Sequence, residues 1–149
     1  MEPAPSLQVH ASCVRIGAFG VLLSGGSGSG KSDLALRMIH SGASLVADDR
    51  VDLVCEGETL LARCPPALAG LLEVRGVGIL RVPCVPEAQV ALAVDLVPGG
   101  EIERLPEPRH RDYLGIRVPS LTLDPFRASA AAQVAFAARA AASGDLFAR

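Results

Sequence analysis

At 149 residues, half of them apolar and with a formal net charge of −2, the chain has room for one domain with a sizeable core, and its charge gives no reason to expect a nucleic acid or an anionic membrane as partner. Its four cysteines, Cys13, Cys55, Cys64 and Cys84, show no C-x-x-C spacing, and the start Met1-Glu2-Pro3-Ala4-Pro5 has no signal-peptide pattern. No apolar run approaches the ~18 residues of a membrane span, so a cytoplasmic protein with reduced thiols is the expectation.

Residues 1–6 read as a disordered lead, which leaves 7–149 for the domain. Leu7-Gln8-Val9-His10-Ala11 alternates like a short strand that ends at His10, and on this pattern alone the histidine is a solvated bystander. Val14 to Leu23 is apolar and partly β-branched, a strand leading into Gly25-Gly26-Ser27-Gly28-Ser29-Gly30-Lys31-Ser32. That run fits the phosphate-loop pattern G-x-x-x-x-G-K-[ST]. Its glycines allow positive φ and turn backbone N–H groups inward, where side chains would block a polyphosphate. Lys31 would reach the β/γ-phosphates of ATP, Ser32 would offer its hydroxyl to Mg²⁺, and the helix starting there points its positive end at the phosphates. Leu34, Ala35, Met38 and Ile39 share one helical face over about 31–41, until Gly42 stops it. A flexible Gly/Ser linker would need neither the strand before nor the helix after. A dinucleotide fingerprint is excluded because, counted from Gly26, the third glycine of G-x-G-x-x-G falls on Lys31.

Ser44-Leu45-Val46-Ala47 reads as a buried strand delivering Asp48-Asp49 at its carboxyl end, where open α/β sheets bind ligands. Adjacent strand residues point to opposite faces, so one carboxylate faces the phosphates more easily than two; the plain alternative is a polar turn into Arg50–Val54. Residues 57–88 are rich in Gly and Pro and predict strands and loops. Within them, Leu71 to Leu80 places Glu73 and Arg75 on one side of an extended segment, as a site pair or a surface salt bridge. Val90-Ala91-Leu92-Ala93-Val94-Asp95 has the apolar-strand-then-Asp form of a Walker B and makes Asp95 a rival metal ligand. The charged, proline-punctuated stretch 101–112 predicts an exposed loop, Ile116–Leu123 a last strand, and Ala128–Ser143 an alanine-rich helix ending at Gly144. With only two helices, the pattern is an α/β, sheet-dominated phosphate-loop domain and not a doubly wound one.

The order and spacing of Gly30-Lys31-Ser32-Asp33, Leu45-Val46-Ala47-Asp48-Asp49, Leu72-Glu73-Val74-Arg75-Gly76-Val77-Gly78-Ile79 and Leu114-Gly115-Ile116-Arg117-Val118-Pro119 resemble the catalytic domain of bacterial HPr kinase/phosphorylase. The resemblance runs from about His10 to Ala128. It implies a fold related to the nucleotide domain of phosphoenolpyruvate carboxykinase, and an ATP- and Mg²⁺-dependent enzyme that phosphorylates a serine of the phosphocarrier protein HPr in phosphotransferase-system regulation. It also implies removal of that phosphate by phosphorolysis and a homo-oligomer, a hexamer in the family. By position, His10 matches an active-site histidine, Lys31 the catalytic lysine, Ser32 and Glu73 the Mg²⁺ ligands, Asp49 the proton acceptor of the kinase direction, and Arg104 an active-site arginine. Asp95 has no catalytic counterpart. The chain is similar to short forms that consist of the catalytic domain alone.

Where the family carries a Pro-x-Arg-Pro-Gly-Arg-like loop for phosphorolysis, this chain has Asp124-Pro125-Phe126-Arg127-Ala128-Ser129. Kinase activity with weak phosphorolysis is therefore expected. The competing functions are a small-molecule kinase or NTPase, which should enclose its acceptor beneath a lid, and a nucleotide sensor, which has no use for a base beside the γ-phosphate.

Overall fold

Most of the chain is built from short apolar or alternating runs punctuated by Gly and Pro, and such runs satisfy their backbone groups in sheets. The computed structural model describes residues 5–147. Its strands are β1 (Ser6–Val9), β2 (Ala11–Ile16), β3 (Phe19–Ser24), β4 (Ser44–Ala47), β5 (Val51–Glu56), β6 (Thr59–Arg63), β7 (Leu71–Val74), β8 (Gly78–Arg81), β9 (Glu87–Leu96), β10 (Arg109–Tyr113) and β11 (Ile116–Leu123), with helices α1 (Lys31–His40) and α2 (Ala130–Ser143). Of the expected lead, residues 1–4 lie outside the described range, whereas Ser6 already pairs with Val54 in β1.

The main sheet runs β1-β5-β6-β9-β3-β2-β4, and β11, carrying β10, joins along β9. Strand β9 is parallel to β3 on one side; on the other it takes β6 antiparallel at its start and β11 parallel at its end. The apolar stretch 14–23, expected as one strand, is two. The chain reverses at Gly17, whose φ of 59° suits glycine, and β2 returns antiparallel along β3. The expected loop 101–112 also ends early, because Arg109–Tyr113 forms β10 against β11. Alternating Arg, His, Arg and Asp there leave the strand exposed, so hydrophobic patterning gave no sign of it.

One face of the sheet is covered by the helices. Leu34, Ala35, Met38 and Ile39 of α1 and Ala130, Val134 and Ala138 of α2 pack on Val21 and Leu23 of β3 and on Leu92 and Val94 of β9. The second core is made of strand residues only, among them Cys13, Leu22, Val46, Leu53, Leu60 and Val118, because the sheet curls and covers its other face itself. This explains why so few helices are needed. Burial pushes the Cys13 thiol up to about 12, so it stays neutral and unreactive although it lies near the site. The separate β7–β8 hairpin turns through Gly76 at φ 86° and anchors itself by Leu72, which is buried beside α1.

Leu23 is fully buried where β3, α1 and α2 meet. Leu23→Ala should destabilise the domain by about 2–5 kcal/mol, the cost of a large-to-small change in a packed core, as read from the midpoint shift in a urea unfolding curve.

Candidate functional site: a phosphate-loop cleft

The loop between β3 and α1 is held open by its own backbone. Gly28 (φ 77°) and Gly30 (φ 92°) adopt the left-handed conformation that favours glycine. Gly25 is required for a different reason: a Cβ there would lie 2.4 Å from Ser29 Oγ and 2.8 Å from Ser29 Cβ. Ser29 N–H donates back to the Gly26 carbonyl at 3.0 Å, which closes the turn. Lys31, the first residue of α1, is only 6% exposed. Its ammonium donates to the carbonyls of Gly25 at 3.0 Å and Gly26 at 3.1 Å, the partners that a buried charge needs.

Opposite the loop, the two adjacent aspartates at the end of β4 divide their tasks. Asp48 is an anchor. Its Oδ1 accepts from Ser32 Oγ at 2.7 Å and from Ser12 Oγ at 2.9 Å, and its Oδ2 accepts the Glu73 N–H at 3.3 Å. Asp49 has φ 61°, unusual for a residue with a Cβ, and its N–H donates to Ser12 Oγ at 3.3 Å. Its Oδ1 lies 3.1 Å from His10 Nε2 and 3.9 Å from Lys31 Nζ, with the histidine and aspartate side chains 59% and 62% exposed. A carboxylate within reach of solvent, a histidine and a lysine can take a proton from a hydroxyl that docks there.

These walls enclose a cleft of about 520 Å³. Ser27 to Ser32 form one side, and Asp48, Asp49, Glu73 and Arg75 another, while Leu36 and Phe126 supply an apolar edge. Among the described residues no trio of His, Cys, Asp or Glu forms a metal cage. The donor set is a hydroxyl and carboxylates facing a phosphate loop. That set suits a hard cation that arrives on phosphates, keeps several waters and takes one or two protein oxygens, which is the habit of Mg²⁺.

A family model described as HPr Serine kinase C-terminal domain matches residues 2–142. The chain belongs to this family. It is 42% identical over 131 residues to the HPr kinase/phosphorylase of Burkholderia lata, covering 80% of this chain and 41% of the relative. The HPr kinase/phosphorylases of Burkholderia cenocepacia and Burkholderia vietnamiensis match to the same extent. The chain thus spans about two fifths of the length of the curated relatives it matches. A solved structure, the Hpr(Ser) kinase/phosphatase from Coxiella burnetii, superposes with a TM-score of 0.81 at 30% identity, covering 93% of this chain and 97% of that one. The sheet-dominated phosphate-loop fold expected from the sequence is the fold of this HPr kinase family.

Within this HPr kinase-family domain, His10, Lys31, Ser32, Asp49 and Glu73 gather at one cleft, although they come from the β1–β2 bend, α1, the end of β4 and β7. Gly25 and Gly26 form the neck of the loop beneath them. Arg104 does not join: it lies exposed between β9 and β10, outside the cleft lining. Asp95 does not join either. Its carboxylate pairs with Arg111 at 2.9 Å, and a hydrogen bond to Tyr113 followed by the charge of Asp95 holds the Arg111 pKa above its usual value, so Asp95 is engaged by β10 and stands outside the cleft lining.

Arg75, singled out in the sequence beside Glu73, lines the cleft with it, but two residues of the site were missed: Phe126 also lines the cleft, and Ser12 bonds both aspartates. A hydroxyl standing alone among Ala11, Cys13 and Val14 in a buried strand was the available signal, since a buried polar group demands a partner.

Gly25→Ala should leave the fold intact by circular dichroism and weaken ATP binding by about tenfold or more, because strain of ~1–3 kcal/mol falls on the loop. Titration with a fluorescent ATP analogue reads the difference.

Proposed function

We propose that this domain uses ATP and Mg²⁺ to phosphorylate a serine of an HPr-type phosphocarrier protein in the cytoplasm. The single observation that carries the reading is the Asp49 carboxylate, placed 3.1 Å from His10 Nε2 and 3.9 Å from Lys31 Nζ at the mouth of a phosphate loop. In this mechanism Lys31 exchanges its loop carbonyls for phosphate oxygens and steadies the charge that builds on the transferred group. Ser32 gives its proton to Asp48 and so turns its lone pairs toward the cleft, where it and Glu73 would hold Mg²⁺. When bound, Mg²⁺ supplies charge neutralisation between the β- and γ-phosphates. Asp49 accepts the seryl proton as the serine oxygen attacks, with the His10 ring fixing its carboxylate.

The cleft opens to solvent beside the exposed hairpin β7–β8, which suits a serine presented by a folded protein. A small-molecule kinase would enclose its acceptor, and a sensor would not require Asp49. Arg104, an active-site arginine by resemblance, lies outside the cleft lining and carries no step of this mechanism. A homo-oligomer, hexameric by resemblance, is part of the same proposal.

Support for a weak reverse reaction comes from the loop after β11. Arg37 of α1 donates to the Pro125 carbonyl and, at 3.4 Å, to that of Arg127, while pairing with Asp33 at 3.0 Å. Phe126 is thereby laid against Gly30, where a Cβ would come within 3.0 Å of its ring. Arg127 lies outside the cleft lining, so the position that would bind inorganic phosphate lacks its charge.

Two outcomes test the reading. Asp49→Asn should lower kcat for transfer to the carrier by about 10²–10⁴-fold, the usual size of general-base catalysis, with nucleotide affinity little changed. Collapse of ATP–Mg²⁺ binding in that variant would make Asp49 a metal ligand instead. Phosphate-dependent release of pyrophosphate from serine-phosphorylated carrier should run roughly ten- to a hundredfold slower than the forward reaction, the worth of one charge-assisted contact made in the transition state; equal rates would refute it.

A further inference from the structure

We propose that Ser12 is a positioning residue for phosphoryl transfer, acting through Asp49; the inference rests on the kinase reading above. Ser12 is fully buried in β2, opposite Leu23 of β3, between Ala11 and Cys13, which both belong to the strand-only core. A hydroxyl in such a place is unfavourable unless both its proton and a lone pair are used. Here both are used, and on consecutive residues of the site. Its one proton goes to Asp48 Oδ1 at 2.9 Å, and its oxygen accepts the Asp49 N–H at 3.3 Å.

The two bonds differ in what depends on them. Asp48 has other anchors, because Ser32 Oγ donates to the same oxygen at 2.7 Å and the Glu73 N–H donates to the other at 3.3 Å. Its carboxylate stays in place without Ser12. The Asp49 amide, in contrast, donates to Ser12, and Asp49 holds a left-handed backbone at φ 61°, which costs a residue with a Cβ although Asp less than most. That backbone aims the carboxylate at His10 and Lys31. Removing one oxygen atom should therefore misdirect the base while leaving the phosphate loop and the proposed Mg²⁺ ligands in position. A hydroxyl that merely satisfied a buried strand would have no such selective effect.

The experiment compares Ser12→Ala with Ser12→Thr, which keeps the hydroxyl and suits a strand. Three quantities are read: kcat for transfer to HPr, ATP–Mg²⁺ affinity by titration, and hydrogen exchange at the Asp49 amide by NMR. Ser12→Ala should lose about ten- to a hundredfold in kcat, the range seen when a residue that orients a site ligand is removed, with ATP–Mg²⁺ affinity within about twofold of the parent. Its Asp49 amide should exchange faster, and Ser12→Thr should restore both kcat and protection. A Ser12→Ala protein whose kcat stays within about twofold of the parent overturns the proposal, and so does a loss of kcat matched by an equal loss of ATP affinity. If the parent transfers nothing to HPr, the kinase reading fails instead. The linkage is then judged on the amide alone: faster exchange in Ser12→Ala sustains it, and unaltered exchange overturns it.

Discussion

The site depends on a rigid right of way between β3 and α1. Strand β3 is hydrogen-bonded along both edges, to β2 and to β9, and α1 is fixed to the sheet by the apolar stripe Leu34, Ala35, Met38 and Ile39. The loop between them cannot relax without breaking one of these attachments. A loop held in this way offers an arriving anion a site whose shape needs little reorganisation. The same rigidity permits Lys31 to be buried, since its ammonium finds two carbonyls of the loop at fixed distances.

Across the cleft the chemistry is divided by solvent access. Asp48 is half-buried and committed to three hydrogen bonds, and so acts as a strut joining β2, α1 and β7. Asp49 is largely exposed and holds only cationic or ionisable neighbours on its carboxylate. Two identical side chains in consecutive positions thus serve different ends, because the backbone turns between them and one enters the protein while the other faces out.

How far the sequence was legible follows from where its signals are local. The phosphate loop is a local motif, and the left-handed turns at Gly28 and Gly30 were legible because a glycine's backbone conformation is set within its own short run. The α1 stripe and its stop at Gly42 are likewise periodic over a short window. Strand β10 was hidden because Arg109-His110-Arg111-Asp112 carries no apolar alternation, and its pairing with β11 is a property of the sheet. The fate of Asp95 was hidden for the same reason: nothing in Val90–Asp95 announces that Arg111 will reach it across β11. Ser12 and Phe126 contribute through contacts with residues distant in sequence, Asp48 and Gly30, which no spacing rule connects.

Strand β9 has a consequence for the order of assembly. The cradle strand β3 has one neighbour, β2, made just before it, and its other, β9, made only after α1, the three strands β4, β5 and β6, and the β7–β8 hairpin. Closing that long loop is slow in entropic terms and gains little until the strands meet. During synthesis the hairpin β2–β3 waits with one bare edge, and the nucleotide cradle acquires its final shape only once residues 87–96 have left the ribosome. A chain halted before β9 would present an unpaired apolar strand, the kind of surface that chaperones and aggregates compete for.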